Sequence, residues 1–187
     1  MKAVFLDRDG VLNKERSYIS KPEDLELYSF TAEAVRKINL SGYLAIIVSN
    51  QSAVARNLCT LDDVDRIHEK LIYELSRFNA HVDAIYFCPH YYDKGSSSVR
   101  PEFNIDCDCR KPKTGMFLKA AGDFGIELDK SFMVGDTERD ILAGKNAGCI
   151  TIGVRTGYGL QGSMIEPDHI FNDLLEAVEY ITQQPGD

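Results

Sequence analysis

Two aspartates one residue apart follow directly on an apolar run at the amino end of the chain. Residues 2–6 read Lys-Ala-Val-Phe-Leu, and Asp7, Arg8, Asp9 and Gly10 come next. A short apolar run closed by a polar, glycine-containing turn is typical of a buried strand that stops at a sheet edge. Because side chains alternate between the faces of a strand, Asp7 and Asp9 are expected to point one way and Arg8 the other. Two carboxylates so placed repel each other, which favours a hard divalent cation beside them.

Strand-like and helix-like patterns alternate along the rest of the chain. Apolar runs predict further strands at 44–48, 84–87, 132–134 and 150–154. Helical spacing of apolar residues predicts helices at 32–40, 60–78, 117–124, 141–147 and 172–181. This alternation predicts an α/β fold, a Rossmann-like three-layer sandwich with a mostly parallel central sheet covered on both faces. The ligand crevice of such a sheet lies beyond the carboxyl ends of its strands, and we place the active site there.

Length, charge and cysteine count narrow the class of protein. The 187 residues suit one domain over residues 1–187, large enough to fold without disulfides. The net charge of −8 argues against nucleic-acid or acidic-membrane partners. No apolar run could span a bilayer and no signal-peptide pattern is present, so we expect a cytoplasmic protein. No exposed apolar stripe is evident, which favours a monomer. Five cysteines, an odd number, favour metal binding or free thiols over a disulfide framework.

Four polar groups are expected at the carboxyl edge of the sheet. They are, in chain order, Asp7 with Asp9, Ser49 with Asn50, Arg110 with Lys111, and Asp136 with Asp140. Together they supply what metal-assisted phosphoryl transfer requires. One carboxylate can attack phosphorus to form an aspartyl-phosphate, while another gives a proton to the leaving oxygen and later takes one from water. A cation neutralises the phosphoryl and carboxylate charge, and the lysine and hydroxyl hold the remaining phosphoryl oxygens.

These motifs resemble those of the haloacid dehalogenase-like hydrolases. The resemblance rests on Asp7-Arg8-Asp9-Gly10-Val11, Ser49, Lys111 and Gly135-Asp136-x-x-x-Asp140. It is closer to one branch, the D-glycero-D-manno-heptose 1,7-bisphosphate phosphatases, with the histidinol-phosphatase domain as nearest relative. That closer likeness covers nearly the whole chain and is carried by Tyr18-Ile19-x-x-Pro22-Glu23, Ser49-Asn50-Gln51-Ser52, Cys88-Pro89-His90 and Cys107-Asp108-Cys109-Arg110-Lys111-Pro112.

The resemblance implies a role for each matching residue. It implies Asp7 as nucleophile and Asp9 as general acid/base, with Ser49 and Lys111 holding the phosphoryl group. It also implies Mg²⁺ held by Asp7, the backbone carbonyl of Asp9, and Asp136. Substrate contacts are expected from Arg8, Arg16, Ser17, Tyr18, Asn50, Gln51, Ser52, Arg110 and Thr137. For Arg8 a structural ion pair is the alternative.

Four positions depart from the pattern of that branch. Thr137 stands where a lysine is expected beside the metal aspartate, Ala53 and Asn57 replace glycines, and Thr114 replaces a proline. None of these residues touches the phosphoryl chemistry. We therefore expect them to bear on which sugar or alcohol is held. The sequence does not select between the α and β anomers.

A second cluster is formed by Cys88-x-His90 and Cys107-x-Cys109. Three thiolates and one imidazole suit closed tetrahedral zinc, and with four protein ligands such a zinc is structural. Cys107 and Cys109 are too close in sequence to be disulfide partners. The alternative is a set of buried free cysteines with an incidental histidine. Zinc would close the loop at about 88–110 and fix Arg110 and Lys111 against the phosphoryl site.

The predicted function is a Mg²⁺-dependent phosphatase acting on a phosphorylated sugar. The resemblance implies removal of the 7-phosphate of heptose 1,7-bisphosphate, with histidinol-phosphate phosphatase as the alternative enzyme. A zinc-stapled module that binds a phospho-ligand without turnover is the alternative from another class, and Asp9 argues against it because a binder needs no general acid. Since no large helical insertion follows either motif, we expect no large cap domain and a site rimmed by the loops at 13–29, 51–58 and 88–110.

Several remaining features are given structural interpretations. The string from Gly157 to Gly162 matches a dinucleotide-binding pattern only in spelling, because no helical pattern follows it, and it is interpreted as a glycine-rich loop. His68 is expected to be solvated, and Phe78 to face the core. The serines at 96–98 are expected to form a mobile loop tip.

Overall fold

A parallel sheet runs through the middle of the molecule. The computed structural model describes residues 1–95 and 97–184. The strands are β1 (Ala3–Leu6), β2 (Leu44–Asn50), β3 (Ala84–Cys88), β4 (Phe132–Gly135), β5 (Ile150–Val154) and β6 (His169–Phe171). The helices are α1 (Thr31–Leu40), α2 (Leu61–Ser76), α3 (Gly115–Phe124), α4 (Glu138–Ala147) and α5 (Leu174–Thr182). Short 3-10 helices lie at Pro22–Asp24, Pro101–Phe103 and Leu128–Lys130.

The strand order is β3-β2-β1-β4-β5-β6, so β1 lies between β2 and β4. Leu6 at the end of β1 is level with Ile47 of β2 and Val134 of β4. The polar residues that follow these three strands therefore meet at one edge of the sheet, where open α/β folds bind their ligands. The predicted α/β architecture with a parallel sheet is confirmed.

The two faces of β1 belong to two separate hydrophobic cores. Val4 and Leu6 pack in the core that includes the apolar faces of α1, α2 and α5. Ala3 and Phe5 pack in the core that includes α3 and α4. The ring of Phe5 lies 4.8 Å from that of Phe117, centroid to centroid. Because both faces are covered, every residue of β1 is buried, which explains its uninterrupted apolar sequence.

The loops that leave β1 and β2 carry little regular structure. Between β1 and α1 the only helical element is the 3-10 turn Pro22–Asp24, and β2 connects to α2 through turns at 52–59. Among the described residues no helical cap domain is inserted at either place, as expected. No helix in the described part of the chain is both long enough and apolar enough to cross a membrane.

Some local predictions are wrong. Phe78 lies beyond the end of α2 and is 58% exposed, whereas His68 is buried, with its Nε2 3.5 Å from a guanidinium nitrogen of Arg8. The three-residue strand β6 has no counterpart among the predicted strands, because its length and mixed burial give almost no alternation to detect. The predicted loop tip at 96–98 includes residue 96, which lies outside the described residues, as do residues 185–187.

Candidate active site

Asp7 and Lys111 form the buried centre of the site. Lys111 Nζ donates to Asp7 Oδ1 at 2.8 Å and to the Val48 carbonyl at 2.7 Å, and it also lies 2.7 Å from Asp140 Oδ1. Burial raises the pKa of Asp7 to about 7 against the charge of Lys111, and the charges of Asp140 and Asp9 add to the rise. The pKa of Lys111 is raised because its two carboxylate partners outweigh burial, so its ammonium stays charged.

The side-chain amide of Asn50 fixes the backbone of Lys111. Asn50 Nδ2 donates to the Lys111 carbonyl at 3.1 Å, and the Lys111 N–H donates to Asn50 Oδ1 at 3.0 Å. This reciprocal pair joins the end of β2 to the irregular segment before α3. It explains how a lysine from a loop reaches the sheet edge in a defined place.

Asp9 has a more polar environment than Asp7. Its carboxylate accepts hydrogen bonds from the Arg8 guanidinium at 2.8–3.1 Å, from Asn13 Nδ2 at 2.9 Å and from Gln51 Nε2 at 3.1 Å. Burial acts to raise the pKa of Asp9, but the Arg8 charge and these hydrogen bonds together lower it. Gln51 Nε2 also donates to Ser49 Oγ at 2.8 Å, which links the acid/base candidate to the predicted phosphoryl-holding hydroxyl.

Asp136 follows β4 and carries an orphaned oxygen. Its Oδ2 accepts from the Tyr158 N–H at 2.7 Å, whereas its buried Oδ1 has no hydrogen-bond partner among the described residues. Burial and the charges of Asp7 and Asp140 raise the pKa of Asp136 to about 8. One oxygen from each of these three aspartates lies within 4.8 Å of the others. Buried carboxylates with an unused oxygen fit a hard divalent cation, which can take the place of the proton that burial favours.

The carboxylate of Asp140 is already used by the protein. Its Oδ1 pairs with Lys111, and its Oδ2 accepts from the Thr137 hydroxyl at 2.6 Å and from the Thr137 N–H at 3.1 Å. Thr137 and Asp140 thereby form the capping box at the start of α4. Asp140 therefore forms an ion pair with the Lys111 ammonium and helps to hold it in place. The Thr137 hydroxyl donates its hydrogen bond to Asp140 as part of the helix cap.

A cavity of about 390 Å³ opens over these groups. Its lining includes the catalytic candidates Asp7, Asp9, Ser49 and Lys111, and also Asp136. Of the predicted substrate contacts it includes Ser17, Tyr18, Asn50, Gln51, Ser52, Arg110 and Thr137. Most of the predicted residues are therefore brought together around one opening.

Arg8 and Arg16 are not part of that lining. The Arg8 side chain is fully buried, and its guanidinium is used by Asp9 and Gln51, so the expected substrate contact is replaced by the structural ion pair. Arg16 is exposed and pairs with Glu26 at 2.8 Å. The physical reason for the first correction is that the buried Arg8 guanidinium lies 2.8 Å from the Asp9 carboxylate and outside the cavity lining.

The cavity has lining residues that the sequence did not single out. These are Glu15, Arg56, Tyr91, Arg139 and Tyr158. The Tyr91 ring has the Arg56 guanidinium carbon 4.0 Å and the Arg110 guanidinium carbon 5.1 Å from its centroid. Arg56 comes four residues after Ser52, and Arg139 comes two residues after Thr137. This closeness to predicted site residues was the available signal for both arginines.

The cysteine and histidine residues of the second cluster lie together as expected. Cys88 Sγ is 3.4 Å from Cys107 Sγ and 3.7 Å from His90 Nδ1, and Cys109 Sγ is 3.2 Å from Cys107 Sγ and 3.4 Å from His90 Nδ1. The five cysteines are all free. Three sulfurs and one nitrogen at this spacing fit a tetrahedral ion about 2.0–2.3 Å from each ligand. The cluster could therefore hold a metal.

Comparison with known proteins connects this site to a family. A D-glycero-D-manno-heptose-1,7-bisphosphate 7-phosphatase from Thermosynechococcus vestitus is 44% identical over 96% of this chain and 94% of its own length. The chain belongs to the heptose-bisphosphate 7-phosphatase family. The β-heptose enzyme from Haemophilus ducreyi is 36% identical over 96% of this chain and 98% of its own. A family model described as HAD-hydrolase-like matches residues 108–177, which contain Lys111, Asp136 and Asp140.

The fold agrees with that membership. The crystal structure of the D,D-heptose 1,7-bisphosphate phosphatase from B. bronchiseptica, complexed with magnesium and phosphate, is 31% identical, with a TM-score of 0.87. The match covers 99% of this chain and all of that one. The resemblance drawn from the sequence motifs is confirmed, and the chain is a phosphoric monoester hydrolase of the HAD-like type.

Proposed function

We propose that this protein hydrolyses the 7-phosphate of D-glycero-D-manno-heptose 1,7-bisphosphate through an aspartyl-phosphate on Asp7. The observation that carries the proposal is the meeting of Asp7, Lys111 and Asp136 at one sheet edge beneath an open cavity. The chain's 44% identity to a phosphatase of that name supports the choice of sugar.

The chain's own residues account for both halves of the reaction. A carboxylate oxygen of Asp7 attacks the 7-phosphorus, the bond from phosphorus to the sugar oxygen breaks, and Asp9 gives its proton to that oxygen. Asp9 then accepts a proton from water, the water oxygen bonds to phosphorus, and Asp7 is released together with phosphate. Lys111 and Ser49 hold the other phosphoryl oxygens. The Arg8 contact to Asp9 favours the ionised carboxylate that accepts a proton in the second half, so the first half requires Asp9 to have taken up a proton beforehand.

Mg²⁺ is the cation proposed for the aspartate cluster, held by Asp7, the backbone carbonyl of Asp9, and Asp136. When bound, it neutralises the charge on the phosphoryl oxygens and the carboxylates. The unpartnered Asp136 Oδ1 supports this assignment.

Zn²⁺ is proposed for Cys88, His90, Cys107 and Cys109, because a Cys₃His donor set suits a closed structural zinc site.

The rim of the cavity favours an anion at the far end of the substrate. Arg56, Arg110 and Arg139 all line the cavity, and none of the ion pairs among the described residues involves them. A bisphosphate brings a second negative group to these guanidinium groups, whereas histidinol phosphate brings a cationic amine. The rim therefore supports the bisphosphate over the alternative enzyme substrate.

Replacement of Asp7 by asparagine tests the proposal. We expect Asp7→Asn to remain folded, to bind the bisphosphate, and to release no phosphate, because the attacking oxygen is replaced by an amide. Acid-quenched wild-type enzyme with ³²P-labelled substrate should carry label on Asp7, and Asp7→Asn should carry none. Turnover by Asp7→Asn would contradict the mechanism. Tight binding without phosphate release by the wild-type protein would favour the non-catalytic module.

A further inference from the structure

The glycine-rich segment 155–164 folds over the end of β4 and touches the aspartate cluster. The Tyr158 N–H donates to Asp136 Oδ2 at 2.7 Å, and the Leu160 N–H donates to the Asp136 backbone carbonyl at 2.7 Å. The Thr156 hydroxyl donates to the Gly10 carbonyl at 2.6 Å. The segment is therefore bonded both to the proposed metal ligand and to the turn that directly follows Asp9.

Two glycines leave the space that the Asp136 carboxylate occupies. A Cβ at Gly157 would lie 2.1 Å from Asp136 Oδ2 and 2.6 Å from the Gly10 Cα, and a Cβ at Gly10 would lie 2.2 Å from the same oxygen. Both glycines have positive φ, +83° for Gly10 and +62° for Gly157, a conformation in which a side chain is also strained. The Asp136 carboxylate is thus confined by backbone atoms, which cannot move aside by changing rotamer.

We propose that the segment 155–164 is a positioning element for the divalent cation, with Gly157 and the Tyr158 N–H setting the orientation of Asp136. The hydrogen bond engages Oδ2 and leaves Oδ1 free for the metal. Protein groups that orient a metal ligand in this way change metal affinity about 10–100-fold when they are altered. This inference rests on the proposed Mg²⁺ site.

The segment also reaches the wall of the substrate cavity. The side chain of Tyr158 lines that cavity, while its N–H is bonded to Asp136. One short stretch of chain therefore adjoins both the proposed metal ligand and the cavity. Because Gly157 directly precedes Tyr158, a side chain at 157 is expected to disturb the metal ligand before it disturbs the more distant nucleophile.

The test compares Gly157→Ala with Gly162→Ala. Gly162 lies in the same segment with φ of +72°, but a Cβ there meets nothing within 4 Å, so it controls for backbone strain alone. Mg²⁺ binding is measured by isothermal titration calorimetry without substrate, alongside thermal unfolding. We expect Gly157→Ala to bind Mg²⁺ about tenfold or more weakly, and Gly162→Ala to bind it as the wild type does. Saturating Mg²⁺ should restore phosphate release in Gly157→Ala.

Equal Mg²⁺ affinity for the two variants would overturn the inference while leaving the proposed function intact. Absence of Mg²⁺ binding by the wild-type protein would overturn the metal site and the inference together. If Gly157→Ala does not fold, Thr156→Val takes its place, because it keeps the glycine and removes only the hydrogen bond to the Gly10 carbonyl. That variant is expected to bind Mg²⁺ severalfold more weakly, and unchanged affinity would overturn the inference.

Discussion

The ammonium group of Lys111 lies 2.8 Å from the Asp7 carboxylate, although 104 positions separate the two residues in sequence. Both side chains are largely shielded from water, and the same ammonium bridges to Asp140. A charged lysine is retained there because two carboxylates offset its loss of hydration. The pair places a fixed positive charge beside the proposed nucleophile, where charge develops on a transferring phosphoryl group.

Lys111→Met is expected to lower kcat/KM by about 10²–10³-fold, the usual loss when one group that stabilises transition-state charge is removed. The variant also leaves buried carboxylates without their counter-ion, so its thermal stability should fall. Steady-state phosphate release and thermal unfolding measure the two effects. Lys113→Met is the matched control, because Lys113 is exposed and pairs with Asp106 away from the cavity. Full activity in Lys111→Met would contradict the assignment.

Arg110→Ala and Arg139→Ala are expected to raise KM for the bisphosphate by about tenfold or more, with a smaller change in kcat. Each removes a guanidinium that a second phosphate can use, and a charged hydrogen bond is worth roughly 1.5–3 kcal/mol. Arg16→Ala serves as the control, since Arg16 lies outside the cavity and pairs with Glu26. For a singly phosphorylated sugar, KM should differ little among the three variants. Equal KM values for all three on the bisphosphate would argue against a cationic rim.

The buried side chain of His68 is expected to lower the free energy of unfolding in mild acid. Burial and the Arg8 charge lower its pKa from 6.5 to about 3, so the folded protein keeps the imidazole neutral. The unfolded chain takes up that proton as the pH falls below 6.5, which favours unfolding. At pH 5 the loss is about 2 kcal/mol, from 1.36 kcal/mol per pKa unit. Urea unfolding at pH 7.5 and pH 5 should show a smaller pH dependence in His68→Gln than in the wild type.

His81→Gln is the control for that measurement, because the His81 side chain is 66% exposed. If His68→Gln and His81→Gln show the same pH dependence of the free energy of unfolding, the prediction that His68 is buried in its neutral form is wrong.

Cys109→Ser is expected to lose the proposed zinc, to lower the melting temperature and to lose activity even when Mg²⁺ is supplied. The physical reason is that Arg110 and Lys111 follow the last ligand directly, so an open loop no longer fixes them. Metal content by mass spectrometry, thermal unfolding and phosphate release check the three effects. Cys59→Ala is the control, since Cys59 is a free cysteine outside the cluster. A Cys109→Ser variant that lacks the metal but unfolds at the wild-type temperature would contradict a structural zinc.

The strands and helices were predictable where the apolar pattern is long or uninterrupted. The apolar run at the amino end forms the buried strand β1, and the helix predicted from residue 60 begins at Leu61 after the N-cap Thr60. Phe78 and His68 were misassigned because periodicity cannot show where a helix ends or what covers its surface. The short edge strand β6 gives too few residues for any period.

The centre of the site was predictable for a similar reason. Asp7, Ser49 and Asp136 each follow or end a strand, and parallel topology brings such positions to one edge. Arg56, Tyr91 and Arg139 were missed because they come from loops and a helix start, whose approach to the cavity depends on tertiary packing. The Asp136 contact with Tyr158 was hidden in a glycine-rich string that, from sequence alone, resembles an ordinary loop.

Initial rates of phosphate release decide whether a heptose bisphosphate or histidinol phosphate is the substrate. The substrates are the α and β anomers of D-glycero-D-manno-heptose 1,7-bisphosphate with histidinol phosphate alongside, each with and without Mg²⁺. We expect a Mg²⁺-dependent kcat/KM at least about 10²-fold higher for one or both bisphosphate anomers than for histidinol phosphate. The reason is that the arginines at the rim of the cavity can bind the second phosphate of the bisphosphate. Preference for histidinol phosphate, or equally feeble rates on all three substrates, would contradict the proposed function.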